Sequence, residues 1–162
     1  MDLQRTIRKE VFLEGMGLHT GNPVRITFKA AVPNSGINFI RLDLPGKPVI
    51  KATAENILEA TRVPRRTSLG LDGIEIHTIE HLMATLCGLG IDNLTIEINN
   101  NEVPGLDGSG IAFLEAIRQA GIEEQPVSRR YFYVKEPVLV EEKDAYLAVF
   151  PYSNYKISYT LD

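Results

Sequence analysis

From Val134 onward the strand pattern of the N-terminus begins again. R-K-E-V-F-L-E near the start is echoed by V-K-E-P-V-L-V-E from Val134, V-R-I-T-F-K by A-Y-L-A-V-F from Ala145, and G-I-N-F-I-R by Y-K-I-S-Y-T. The match lies in strand order and polarity more than in identity. The first copy continues into two helical segments able to cover one face of its sheet, whereas the second reaches Asp162 after three expected strands. An apolar sheet face must be buried against another layer. The expectation is therefore a chain that is truncated, or one completed by another polypeptide.

Within the first copy, apolar alternation predicts strands over Thr6 to Leu13, Pro23 to Lys29, Gly36 to Leu42 and Pro48 to Thr53, punctuated by Gly, Pro and Asn. Residues 54–71, with T-R-V-P-R-R-T-S-L-G, lack periodicity and read as an irregular insert. Gly73 to His77 alternates as a strand. Thr78 then suits a helix N-cap, and Ile79, Leu82, Met83 and Leu86 form one helical stripe that Gly88 and Gly90 stop. A strand over Asn93 to Ile98 follows, then a polar loop, then a helix over Ile111 to Ala120 with Ile111, Leu114 and Ile117 on one side. The fold class expected is α+β: a two-layer α/β sandwich of mainly antiparallel sheet with two helices over residues 1–121, a linker at 122–130, and the first three strands of a second, similar domain at 131–162.

The formal net charge of −4 and the absence of Trp count against a nucleic-acid surface, which needs a basic patch. Related α/β sandwiches that bind RNA keep that option as a third rival. Cys87 is the only cysteine, which excludes an intrachain disulfide and makes a reducing, cytoplasmic setting the economical one. No apolar run approaches the roughly 18 residues of a membrane-spanning helix.

The chemistry concentrates in H-T-I-E-H-L, residues 77–82. Taken alone, H-x-x-E-H is the pattern of a metallopeptidase class in which two helical histidines hold zinc and the glutamate works on water. The bland alternative is a strand-to-helix junction whose polar residues face solvent. The alternation I-E-I keeps His77 in the strand, so His77 and His81 are not expected to share a helical face. Glu80 and His81 remain as a pair in the first helical turn. His81 is rotated about 200° from Ile79 and so faces away from the core stripe. Its imidazole suits zinc, and the helix N-terminus favours an ionised Glu80.

G-M-G-L-H-T-G at 15–21, I-H-T-I-E-H-L at 76–82 and I-D-N-L-T-I-E-I-N-N-N-E-V-P-G-L-D-G-S-G at 91–110, in that order, resemble the N-terminal part of the zinc-dependent UDP-3-O-acyl-N-acetylglucosamine deacetylases of lipid A biosynthesis in Gram-negative bacteria. The resemblance covers essentially the whole chain. It implies two similar α/β sandwich domains. It also implies a zinc held by the histidine of the T-x-E-H block together with a histidine and an aspartate of an H-K-x-x-D block in the second domain. Carried over, Glu80 becomes the general base and His81 the first zinc ligand, with His77 outside the metal set. No H-K-x-x-D occurs in this sequence. The implied Zn2+, one per complete active site, thus takes its remaining ligands from outside the chain, which is expected to be inactive alone and to have a complementing C-terminal half as a possible partner. The implied reaction is hydrolysis of the N-acetyl group of UDP-3-O-acyl-N-acetylglucosamine to a free amine and acetate. The rivals are the metallopeptidase using His77 and His81 together, and a non-catalytic module or one half of a split protein.

Other polar residues carry structural readings beside functional ones. His19 reads as a turn residue or part of a site wall, and Asp107, with Ser109, as a helix cap or turn former. Arg62, Arg65 and Arg66 read as a solvated loop or as partners for a diphosphate. Cys87 reads as a small core residue, and Glu102 as a surface loop charge.

Overall fold

The alternation read from the sequence builds one mixed sheet with helices on one face. The computed structural model describes residues 2–160. Its elements run β1 (Leu3–Ile7), β2 (Val11–Met16), β3 (Pro23–Ala30), β4 (Ile37–Arg41), β5 (Val49–Lys51), a 3-10 turn at Ala54–Asn56, β6 (Leu69–Leu71), β7 (Ile74–Ile76), α1 (Glu80–Leu89), β8 (Leu94–Ile98), α2 (Ile111–Ala120), β9 (Ile122–Ser128), β10 (Val138–Glu142) and β11 (Ala145–Val149). Five strands form the main sheet in the order β2-β3-β8-β4-β5, antiparallel except where β4 meets β8. On β8 the burial alternates strictly, so Leu94, Ile96 and Ile98 face inward while Thr95 and Glu97 face out. Ile96 is paired with Phe28 on one side and Phe39 on the other. Beyond them, Leu82 and Leu86 of α1 and Phe113 and Ile117 of α2 close one continuous apolar core. The chain is thus an α+β two-layer sandwich.

Each helix ends where a glycine takes over. Gly90 enters the left-handed region at φ 67, and its N–H donates to the carbonyl of Cys87. Gly121 ends α2 at φ 75. The core face of α2 is Phe113, Ala116, Ile117 and Ala120, not the Ile111 stripe expected; Ile111 is exposed. Cys87, expected in the core, is exposed as well, because the next residue after Leu86 turns about 100° away from the buried stripe.

The chain divides into two compact units, Met1–Arg129 and Arg130–Asp162. The stretch 122–130, expected to be a linker, instead holds β9, which pairs antiparallel with β1. Hydropathy concealed it, since the residue that β9 buries, Gln125, is polar. The Asn93 amide donates to Gln125 Oε1 at 2.7 Å and to Gln4 Oε1 at 2.8 Å, and Gln125 donates to the Ala31 carbonyl. The strand expected over Thr6 to Leu13 breaks into β1 and β2 where Arg8 and Lys9 donate instead to the carbonyls of Gly121 and Ala120. The insert near 54–71 is irregular until β6 pairs with β7. In the second unit β10 and β11 form a hairpin. The third strand expected there, at 155–160, is absent among the described residues. A lone hairpin lacks the covered face that would favour extension. No helix among the described residues is long and apolar enough to cross a membrane.

Candidate active site

The start of α1 opens onto a cleft of about 740 Å3, within the roughly 300–1,000 Å3 usual for small-molecule sites. Met16, Leu18 and Leu106 give it apolar wall, and Thr78, His81 and Asp107 give it polar groups. His81 is half-exposed on this wall. Glu80 precedes it, with Oε1 4.0 Å from His81 Nε2 and Oε2 accepting the N–H of Thr67 at 3.0 Å. That second contact comes from the insert and fixes the carboxylate's rotamer from outside the helix. Asp107 holds the turn ahead of α2, accepting the N–H and hydroxyl of Ser109 at 2.9 and 2.8 Å. These hydrogen bonds hold its carboxyl below the ordinary range, with the nearby His81 pulling the same way.

His77 and His81 are not brought together on one surface. His77 is only 5% exposed, its Nδ1 2.9 Å from the Ser68 hydroxyl and its Nε2 3.4 Å from Glu75. The metallopeptidase pairing therefore lacks its geometry. Burial pushes the His77 pKa down, and Arg66 adds to this against the upward pull of Glu75 and Glu102. A group that holds its proton less readily when folded contributes stability above its unfolded value, near 6.5, and that contribution is lost as pH falls through and below it. Urea unfolding midpoints are accordingly expected to drop between pH 7.5 and 5.5, and to drop less in His77→Gln. An equal drop in that variant would assign the effect to other groups.

Thr78 does not cap the helix. Ile79 occupies the N-cap position, and Thr78, at φ 58, gives its hydroxyl to Glu102 Oε1 at 2.7 Å. Glu102, expected to be a surface charge, is 1% exposed. Its Oε2 accepts the N–H of Thr20 at 2.8 Å, and Oε1 accepts that of His19 at 3.0 Å. Burial alone would raise its pKa, but the hydrogen bonds from Thr20, Thr78 and His19 outweigh it and lower the value to about 2. The sequence carried no local signal for this, because the turn that supplies these donors lies about 80 residues away along the chain. His19 itself is exposed. Arg62 pairs with Glu75, and none of the three arginines lines the cleft.

The sequence model of one protein family, described as UDP-3-O-acyl N-acetylglycosamine deacetylase, matches residues 4–162. The chain belongs to that deacetylase family. It is 42% identical over 162 residues to the UDP-3-O-acyl-N-acetylglucosamine deacetylase of Bdellovibrio bacteriovorus, covering all of this chain and 53% of that relative. For the Shewanella violacea enzyme of the same name the identity is 41%, covering all of this chain and 52% of the relative. For that of Histophilus somni it is 38%, covering 98% and 52%. The chain thus spans about half the length of the deacetylases it matches. Among its described residues no three His, Cys, Asp or Glu side chains converge on one point. The cleft of this deacetylase-family chain fits a zinc ion as far as one exposed imidazole with a fixed carboxylate beside it. It does not by itself supply the three protein ligands usual for a catalytic zinc.

Proposed function

We propose that this chain contributes the base and one zinc ligand to the hydrolysis of the N-acetyl group of UDP-3-O-acyl-N-acetylglucosamine, a zinc-dependent step of lipid A biosynthesis carried out in the cytoplasm. The observation that carries the reading is His81 on the cleft wall with the Glu80 carboxylate 4.0 Å from its Nε2, in a chain of the deacetylase family. His81 would be one ligand of the ion. When bound, zinc polarises a carbonyl and brings the pKa of water near 7.

The rest follows from the chain's own groups. Glu80 is held by Thr67 at Oε2, which leaves Oε1, on the His81 side, to take a proton from the attacking water. The water adds to the acetamide carbon, the C–N bond breaks, and the nitrogen leaves with a proton as the free amine of the sugar while acetate departs. Met16, Leu18 and Leu106 give an apolar wall to the cleft that His81 lines. The sequence offers three histidines, of which only His81 lines the cleft. We therefore propose that the chain alone is inactive, and that a polypeptide bearing an H-K-x-x-D block completes the zinc site.

The test is acetate release from UDP-3-O-acyl-N-acetylglucosamine by the purified chain, by a second-half polypeptide carrying that block, and by their mixture with Zn2+. Activity is expected only in the mixture, lost with His81→Ala and kept with His77→Gln. Turnover by the chain alone, or a mixture indifferent to His81→Ala, would refute the reading.

A further inference from the structure

Behind the cleft lies a carboxylate that no step of the hydrolysis touches. Glu102 stands beside His77 in a parallel bridge, with its backbone pinned on either side by His77 N–H to Asn101 and by Val103 N–H to His77. Its side chain reaches two places at once. One is the Gly17 to Thr20 loop, through the N–H groups of His19 and Thr20. The other is the Thr78 hydroxyl, two residues before Glu80 and three before His81. Gly17 and Leu18 line one wall of the cleft, and Thr78 and His81 line another. Thr78 is β-branched yet sits at φ 58, a region such residues seldom enter unless their surroundings impose it.

We propose that Glu102 is a positioning residue, whose single buried carboxylate locks the two cleft walls together and so fixes where Glu80 and His81 stand. This rests on the deacetylase reading only for the identity of what is positioned. An ionised carboxylate is required, since it alone presents acceptors in both directions. Glutamine loses the charge and one acceptor: its NH2 cannot accept the N–H of His19 or Thr20 that the oxygen it replaces accepts, and towards Thr78 it must donate where the carboxylate accepts. Thr78→Val removes the same link from the other end at nearly constant shape, and Thr78→Ser keeps it.

The experiment is amide hydrogen exchange and chemical-shift mapping on the 162-residue chain, with a Zn2+ titration followed at the His81 imidazole. In Glu102→Gln, exchange at His19 and Thr20 is expected to rise about tenfold or more, as for a lost hydrogen bond to a charged group. The Glu80 and His81 resonances are expected to move with it, and the apparent zinc affinity of His81 to weaken several-fold. Thr78→Val is expected to reproduce the changes at Glu80 and His81, and Thr78→Ser to restore them, so the two also decide the matter should Glu102→Gln fail to fold.

A merely structural role would speed exchange evenly across β3 and β8 and leave the His81 resonances and zinc titration unchanged in the folded variants. That result, or a Thr78→Val chain indistinguishable from Thr78→Ser, would overturn the proposal. Zinc binding to no form of the isolated chain accords with a site that a second polypeptide completes. The exchange and shift data still decide the role of Glu102.

Discussion

Replacing Glu80 by glutamine is expected to lower acetate release by the assembled enzyme by roughly 10²- to 10⁴-fold, the range associated with removal of a general base. The substitution is informative because it changes so little else. Glutamine Oε1 can still accept the Thr67 N–H that now goes to Oε2 at 3.0 Å, so the side chain keeps its rotamer and α1 its first turn. What disappears is the ability to take a proton at the oxygen beside His81. The fall should appear in kcat with KM little altered, and the urea midpoint should stay within experimental error of wild type. A variant that retains more than about a tenth of the wild-type rate would exclude Glu80 as the base, because proton transfer contributes at least a hundredfold where it operates.

The second large effect concerns stability and arises from a hydrogen atom. A Cβ added at Gly17 would lie 2.3 Å from Thr20 Oγ1 and 2.4 Å from Glu102 Oε2, far inside van der Waals contact. The carboxylate is not free to swing away, since Glu102 is buried and held by His19, Thr20 and Thr78. Gly17→Ala is therefore expected to displace the carboxylate and lose part of its hydrogen bonding, lowering unfolding free energy by roughly 2–4 kcal/mol. Gly88→Ala provides the control. No atom lies within 4 Å of a Cβ at Gly88, inside α1, so alanine there should stabilise by about 0.5–1 kcal/mol. Denaturant unfolding of the two variants checks both, and a Gly17→Ala chain as stable as Gly88→Ala would remove the argument for a tightly held Glu102.

Some of the site could be read from the sequence alone because its signals are local. The position of Glu80 and His81 at a helix start follows from three residues of strand alternation and one apolar stripe, all within Gly73 to Leu86, and the structure places α1 at Glu80. The main sheet was legible for the same reason, since period-two burial on β8, and on β3 as far as Ile26, is written in consecutive residues. Thr78 shows where local reasoning fails. A threonine before a helix is a good cap, but here a carboxylate 24 residues away takes its hydroxyl. Glu102, Gln125 and His77 failed in the same way, each a polar side chain that a hydropathy pattern assigns to the surface.

By itself the sequence determined the α+β class, the membership of the deacetylase family and the helix start that carries His81 to the cleft, because apolar periodicity and short motifs depend only on near neighbours along the chain. The tertiary structure decided which polar groups go inside. Burying Glu102 depends on donors such as the His19 N–H, 83 residues away, and burying Gln125 on Asn93, 32 residues away. A polar group is stable in the interior only when such partners arrive with the right geometry, and their arrival is a property of the folded chain.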